Sequence, residues 1–318
     1  MMYPVSDTNE RWRLLKQYIR HGYMDTDTHL LGKYAEALNM SVPSRISLAF
    51  LYSTCYNVPT ACFLHDLLGP IKYWRTQDIQ EYWLEYGPGM IFQTDRKWVK
   101  IANQFVSLCM DFRDKMYPYS EGIKPHIKSF DDMYNAFSSL KNQGRVSTYI
   151  FIDGLIATGV MKPCMPERFD WNNGQTCTEG MLHAIGADDV VDHFDKGKHK
   201  LKPDILLTLD DSLSRLVAEI RAEGLPEDYV CDYESNLCAY RKYFKGTMYL
   251  GYYLDRQLEE LYKLQKQIPD WYNLWQDLFQ LRKEIYPANM LGEIGGWKGI
   301  RKELMNKFLE TEVMDCDC

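Results

Sequence analysis

Apolar residues recur three and four positions apart through most of the chain, which is the pattern of helices that bury one face. The first such stretch contains Trp12, Leu15, Tyr18 and Ile19. Further stretches predict helices over 41–50, 58–69, 77–86, 95–112, 131–140, 146–156, 212–223, 233–244, 248–267, 272–285 and 298–310. The clearest β-type run is 205–209, which is either a short strand or buried coil. Strands do not alternate with helices, so the pattern predicts an all-α, multi-helix globular fold.

The segment 162–203 differs from the rest because proline, glycine, asparagine and charged residues dominate it. A long stretch of this kind within a compact domain is usually a functional loop or a linker. We therefore expect an N-terminal helical layer over 1–160, a loop-rich insert over 161–210 and a C-terminal helical layer over 211–318. A single domain containing both layers is the alternative.

Charge and composition narrow the classes of function. The net charge of −7 disfavours a protein that coats DNA non-specifically, since such proteins neutralise many phosphates. Basic residues nevertheless cluster locally at 72–75, 96–100, 196–202, 241–245 and 298–302, and most of these clusters lie beside tyrosines or tryptophans. No apolar run reaches the roughly 20 residues that cross a bilayer, and the N-terminal residues lack a signal-peptide pattern. These features predict a cytoplasmic protein with no membrane partner.

Cofactor and metal motifs are missing from the sequence. It contains neither the Walker-type phosphate loop nor the Gly-x-Gly-x-x-Gly dinucleotide fingerprint. The nine cysteines have no zinc-type spacing and are expected to be reduced thiols. His193, Asp195 and His199 form the closest histidine cluster, but they lie among lysines. The sequence therefore predicts no metal site.

Two blocks concentrate aromatic hydroxyls, amides and charges at helical spacing. The first contains Tyr52, Tyr56 and Asn57. The second is a predicted helix with six candidate residues: Glu234, Asn236, Cys238, Tyr240, Arg241 and Lys242. Such side chains suit a pocket that stacks on a flat ring and hydrogen-bonds its edge, as a nucleobase requires.

Two predicted helix N-termini carry residues that favour anions. One has Asp95, Arg96, Lys97 and Trp98; the other begins at Gly144-Arg145 and has Asp153 about two turns later. Free N–H groups and the positive end of the helix dipole suit phosphate or pyrophosphate there. The alternatives are a capping Asp95 with surface cations, an Arg145 paired with a nearby acid, and a structural ion pair between Glu234 and Arg241.

Four segments together resemble phage enzymes of the α-glutamyl/putrescinyl thymine pyrophosphorylase family, also described as amino acid:DNA transferases. These segments are Leu51-Tyr52 with Tyr56-Asn57-Val-Pro59-Thr60, Gln93-Thr94-Asp95-Arg96-Lys97-Trp98, Gly144-Arg145 with Ile152-Asp153-Gly-Leu155, and Glu234-Ser-Asn236-Leu237-Cys238-Ala-Tyr240-Arg241-Lys242-Tyr243. The resemblance implies an all-helical fold distantly similar to helix-hairpin-helix DNA glycosylases. It also implies a phage protein, acting in the host cytoplasm, that makes hypermodified thymines in DNA.

In that family an amine such as glycine, glutamate or putrescine displaces pyrophosphate from pyrophosphorylated 5-hydroxymethyluracil in DNA. The expected partners are therefore this DNA, a small amine and the pyrophosphate product. No cofactor is required, although Mg²⁺ could accompany pyrophosphate. The resemblance does not assign catalytic residues, so their roles follow from the chemistry.

The departing anion needs fixed positive charge, for which Arg96, Lys97, Arg145 and Arg241 are candidates. The incoming ammonium must lose a proton, and Asp95, Asp153 or Glu234 could accept it. The remaining candidates would bind the flipped base, with Asn57 or Asn236 reading the uracil edge and Cys238 either adding to the ring or serving as a buried structural thiol. Those that would stack or bind are Tyr52, Tyr56, Trp98, Tyr240 and Lys242.

Two other functions remain open at this stage: a DNA glycosylase of related fold, and a non-catalytic nucleic-acid-binding subunit of a modification complex. The glycine-rich segment 291–300 is a weak match to the hairpin with which helix-hairpin-helix proteins bind DNA phosphate. It has no proline at the turn, and Glu293 would repel phosphate.

Overall fold

The computed structural model describes residues 6–20, 26–87, 90, 101–116, 127, 129–194, 200–225, 231–245 and 256. Of these residues 75% are helical and none lies in a strand, which confirms the predicted all-α fold. No described helix is long and apolar enough to cross a membrane. The helices are α1 (Thr8–Arg20), α2 (Thr26–Ala37), α3 (Val42–Cys55), α4 (Val58–Leu68), α5 (Thr76–Tyr86), α6 (Ala102–Met116), α7 (Phe130–Ser138), α8 (Arg145–Ala157), α9 (Gln175–Ala184), α10 (Asp188–Phe194), α11 (Pro203–Ala222) and α12 (Tyr233–Phe244).

Capping residues in the sequence mark where helices α4 and α7 begin. Asn57 caps α4 by accepting a hydrogen bond from the Thr60 backbone N–H at 2.9 Å. Ser129 forms a reciprocal capping box with Asp132 at the start of α7. Such bonds satisfy backbone donors that a helix leaves unpaired in its first turn.

One segment has a different secondary structure from the one that its sequence predicted. The run 205–209, interpreted as a strand or coil, lies within α11, which Pro203 opens and which buries Leu209, Leu213 and Leu216 at helical spacing. The apolar period of the whole segment therefore outweighs the β-type composition of five residues. Helices α9, α10 and the first part of α11 also occupy the 161–210 segment that was predicted to be irregular.

The chain divides into two compact units. Unit 2 contains the described residues within 27–167 together with residue 256, and unit 1 contains those within 6–26 and 168–255. The chain of unit 1 is thus interrupted by unit 2. Each unit has its own set of packed helices.

In unit 2, helices α3 and α8 pack closely and run antiparallel. A Cβ on Gly154 would lie 3.1 Å from the Ala49 Cβ, and Arg45 donates to the Thr158 carbonyl oxygen at 2.5 Å. Stacked rings form the core beside this pair, with centroids 4.1 Å apart for both Phe50–Phe112 and Phe137–Phe151. This packing places the last turn of α3 and the first turn of α8 at the same end of the pair.

In unit 1, helices α9 and α12 cross at Gly180. A Cβ built on this glycine would lie 2.2 Å from the Leu237 carbonyl oxygen, so only a residue without a side chain allows this approach. Helix α1 packs on the same group, because the Tyr240 hydroxyl donates to the Arg11 carbonyl oxygen at 2.9 Å. The crossing fixes which side chains of α9 and α12 face each other.

Candidate functional site

The structure places the predicted site residues in two groups. Asp95, Arg96, Lys97 and Trp98 lie outside the described residues. Unit 2 contains Tyr52, Tyr56, Asn57, Arg145 and Asp153, and unit 1 contains Glu234, Asn236, Cys238, Tyr240, Arg241 and Lys242. Each group lies within a single unit.

The N-terminus of α8 is open and has no side-chain cap. Gly144 is the N-cap, and a Cβ added there would meet no atom within 4 Å. Arg145 follows, with its guanidinium carbon 4.8 Å from the centroid of the Tyr149 ring. Arg145 thus carries a positive charge on the first turn of a helix whose N-cap has no side-chain hydrogen bond, so this helix end is suited to an anion.

Gln143 precedes this helix end and was not singled out from the sequence. Its side chain is only 4% exposed, and neither amide atom has a hydrogen-bond partner among the described residues. A buried amide left unpaired costs about 1–3 kcal/mol, so such groups are uncommon and call for an explanation. An amide offers one acceptor and two donors, which complement the edge of a pyrimidine ring.

Asp153 lies on the same stripe of α8 as Arg145 and Tyr149, because the three residues recur at intervals of four. It is 8% exposed. Burial raises the pKa of the neighbouring Cys164 to about 11, and the negative charges of Asp153 and Asp131 add to this effect. Arg145 and Asp153 are eight positions apart, so their Cα atoms are about 12 Å apart along the helix axis, and Tyr149 lies between them.

Tyr52, Tyr56 and Asn57 lie where α3 ends and α4 begins. The Tyr52 and Tyr56 rings form an edge-to-face pair with centroids 5.9 Å apart, and Tyr56 is partly exposed with a left-handed backbone conformation (φ 50°). Asn57, a candidate reader of the uracil edge, is 1% exposed and uses its side-chain oxygen to cap α4. Its carbonyl oxygen thus already has a structural role, and Gln143 is the better-placed amide.

In unit 1, Arg241 pairs with Glu179 of α9, a residue that sequence analysis missed. The Arg241 Nε–H donates to Glu179 Oε2, and Lys245 Nζ lies 3.1 Å from the same oxygen. The Glu179 side chain is fully buried, whereas those of Arg241 and Lys245 are 23% and 27% exposed. Arg241 is therefore part of a buried ion-pair group that joins α9 to α12.

A second polar group lies one turn further along α9. His183 Nδ1 is 2.8 Å from an Asp188 carboxylate oxygen, and the other Asp188 oxygen accepts from Arg11 at 2.6 Å. Burial lowers the pKa of His183, although Asp188 opposes this effect. The imidazole stacks on Phe244 at 4.7 Å, and its Nε2 has no hydrogen-bond partner among the described residues.

The remaining candidates of α12 differ in accessibility. Tyr240 is fully buried, and burial raises the pKa of its hydroxyl, which donates to the backbone carbonyl oxygen of Arg11. Asn236 is also buried, whereas Lys242 is half-buried. A hydrogen bond with Cys177, burial and the nearby Glu234 raise the pKa of Cys238 well above its usual range, so its thiol is a poor nucleophile in this state.

An open cleft of about 460 Å³ lies between α10 and α11 of unit 1. Its charged lining residues are Lys200, Lys202, Asp189 and Asp204. Two positive and two negative charges offset each other there. The cleft therefore offers a weaker seat for an anion than the N-terminus of α8 does.

No protein-family model, curated protein or solved structure matches this chain.

Proposed function

We propose that the protein is a DNA-modifying transferase that replaces the pyrophosphate of pyrophosphorylated 5-hydroxymethyluracil in DNA with a small amine. The sequence resemblance suggests this reaction. The observation that supports it most directly is the buried Gln143 amide beside the open N-terminus of α8, where Arg145 lies over Tyr149. In this proposal the amide pairs with the edge of the uracil ring and the neighbouring helix end binds the pyrophosphate, the two groups that this substrate carries.

The base must leave the duplex to reach such a site, and its unstacking costs a few kcal/mol. Tyr56, which is partly exposed beside Tyr52, offers an aromatic surface that can offset this cost. Gln143 then donates to a uracil carbonyl oxygen and accepts from the ring N–H. Thymine and uracil derivatives present this acceptor–donor edge, and cytosine does not.

The pyrophosphate binds at the N-terminus of α8. The first-turn N–H groups and the Arg145 guanidinium face the charge that grows on the leaving oxygen as the C–O bond breaks. The amine nitrogen attacks the methylene carbon, the C–N bond forms, and pyrophosphate departs with the electron pair of the C–O bond. The positive charge at this helix end stabilises the transition state more than the ground state.

The attacking amine must also lose a proton. Asp153 is the proton acceptor in this proposal, since it lies on the same stripe of α8 as Arg145 but two turns away. Displacement at a saturated carbon brings the nucleophile in opposite the leaving group. The Asp153 and Arg145 Cα atoms are about 12 Å apart along the helix, so the carboxylate and the leaving group can lie on opposite sides of the reacting carbon.

The experiment is mass spectrometry of nucleosides after the protein is incubated with DNA containing pyrophosphorylated 5-hydroxymethyluracil and a panel of amines. The expected product is an aminomethyl-uracil nucleoside whose mass identifies the amine, together with free pyrophosphate. Abasic sites would instead indicate a glycosylase. Unaltered DNA that is nevertheless bound would indicate a non-catalytic subunit.

A further inference from the structure

The close crossing of α9 and α12 brings three metal-binding side chains together. Cys177 lies one turn before Gly180 on α9, Cys238 follows Leu237 on α12, and Glu234 lies one turn before Cys238. The two sulfur atoms and a carboxylate oxygen all lie within 4.8 Å of one another. No other group of this kind occurs among the described residues.

We infer that Cys177, Glu234 and Cys238 form a binding site for a zinc-type divalent ion at the crossing of α9 and α12. Two thiolates and one carboxylate are a ligand set that zinc accepts, with Zn–S distances of about 2.3 Å and Zn–O distances of about 2.0–2.2 Å. Two sulfurs bound at a tetrahedral angle lie about 3.8 Å apart, so the observed spacing needs only a small side-chain adjustment. This inference is independent of the proposed transferase activity.

The surroundings favour a thiophilic cation over magnesium or calcium. Hard cations select carboxylate, carbonyl and water oxygens, whereas thiolates select zinc and similar metals. Cys177 is fully buried and Glu234 is 8% exposed, but Cys238 is partly exposed and gives the ion a route of entry. The Cys177 thiol donates to the Gly174 carbonyl oxygen at 2.8 Å, and metal binding as a thiolate would replace this hydrogen bond with a metal–sulfur bond.

Binding replaces two thiol protons with one doubly charged cation, and it leaves the fourth tetrahedral position for water or a ligand. The ion would bridge α9 and α12 beside the contact of Gly180 with Leu237. It would therefore clamp the two helices that also carry the Glu179–Arg241 pair. Glu234 then serves as a metal ligand in unit 1 and is not available as the base for the amine.

The test begins with the full chain purified under reducing conditions and stripped of metal by a chelator. After addition of zinc chloride and gel filtration, elemental analysis should find about one zinc per chain. Cobalt chloride should produce thiolate charge-transfer absorption and the visible bands of a tetrahedral Co(II) centre. Zinc should also protect Cys177 and Cys238 of the wild-type protein from alkylation, as measured by peptide mass spectrometry.

Variants locate the site. Cys177→Ser and Cys238→Ser should each weaken binding by more than about 100-fold, and Glu234→Gln by about tenfold. Cys164→Ser is the matched control, because Cys164 is also a partly exposed thiol near carboxylates, and it should leave the cobalt spectrum unchanged. Absence of metal on wild type with both thiols open to alkylation would overturn the inference. So would a Cys177–Cys238 disulfide that forms in place of metal binding, or protection by zinc at other cysteines only.

Discussion

Arg241 of α12 donates its Nε–H to Glu179 of α9, a carboxylate that is fully buried and 62 positions away in the chain. The sequence had suggested Glu234, on the same helix, as a structural partner for Arg241. The pairing across two helices means that Arg241, together with Lys245, compensates the charge of a buried carboxylate. In this structure Arg241 therefore links α12 to α9 through an ion pair.

We expect Arg241→Ala to lower the free energy of unfolding by about 3 kcal/mol, because it leaves Glu179 with Lys245 as its only described cationic partner. Thermal and denaturant unfolding will measure the loss. Glu179→Gln combined with Arg241→Ala should lose less stability than the sum of the two single changes. Additive losses would mean that the two side chains do not interact in solution.

Gly180→Ala tests the helix crossing. The added methyl group would meet the Leu237 carbonyl oxygen at 2.2 Å, so α9 and α12 must move apart and we expect a loss of about 3 kcal/mol. Gly144→Ala is the control, because its Cβ meets nothing within 4 Å and N-cap alanine costs on the order of 1 kcal/mol. Equal melting temperatures for the two variants would contradict the close crossing.

Gln143→Leu separates function from stability. The change removes two buried polar atoms that have no hydrogen-bond partner among the described residues, and it keeps a similar side-chain volume, so stability should stay equal or rise. If the amide reads the uracil edge, kcat/KM for base modification should fall about tenfold to a hundredfold. Gln77→Leu, at an exposed glutamine of α5, should leave the rate unchanged. A Gln143 variant with full activity would remove this residue from the site.

Arg145→Ala tests the anion seat at the N-terminus of α8. Loss of a fixed positive charge at the leaving group should reduce the single-turnover rate on the order of a hundredfold. Arg145 is half-buried, and loss of its cation–π contact with Tyr149 should account for about 1 kcal/mol of stability. Arg145→Lys should recover part of the rate, whereas a large stability loss would indicate a structural role.

The stability of unit 1 should depend on pH through Glu219. Burial alone would raise the pKa of this carboxyl, but hydrogen bonds from Trp12, Arg215 and Lys16 outweigh it and lower the pKa to about 2. Since the pKa in the unfolded chain is near 4.5, the contribution is complete above that pH and disappears as the pH falls towards 2. We expect a loss on the order of 1 kcal/mol, as for other surface ion pairs. Denaturant titrations of wild type and Glu219→Gln should converge at low pH.

Local periodicity was sufficient to predict most helices. The bounds of α12 match the predicted 233–244, and α8 differs from the predicted 146–156 by one residue at each end. The error at 205–209 arose because five β-type residues were considered without the leucines that continue their helical stripe to Leu216. The cap formed by Asn57 was missed, because this residue was interpreted only as a reader of the uracil edge, although Pro59 and Thr60 follow it in the pattern of a helix start.

The site was less predictable because its pairs join distant positions. The sequence around Cys238 does not indicate that Cys177 will lie beside it. Likewise, no feature of the sequence around Glu179 identifies it as the partner of Arg241. Gln143 lies in an ordinary loop sequence, and what distinguishes it is its burial with no hydrogen-bond partner in the part of the chain that the structure describes. Such relationships depend on how α9 crosses α12 and how α8 begins, which a single sequence does not specify.

Helix α1 precedes unit 2 in the chain and its partner α12 follows unit 2, and this order has a consequence during synthesis on the ribosome. Helix α1 buries Leu15, Tyr18 and Ile19, but Arg11 meets Tyr240 only after a further 229 positions have been translated. At ordinary rates of translation that interval lasts about 10 to 45 seconds. The described helices of unit 2 are completed within it, while Tyr18 of α1 still lacks its ring contacts with Tyr240 and Tyr243 of α12. Nascent chains arrested before α12 should therefore engage chaperones through their first helix.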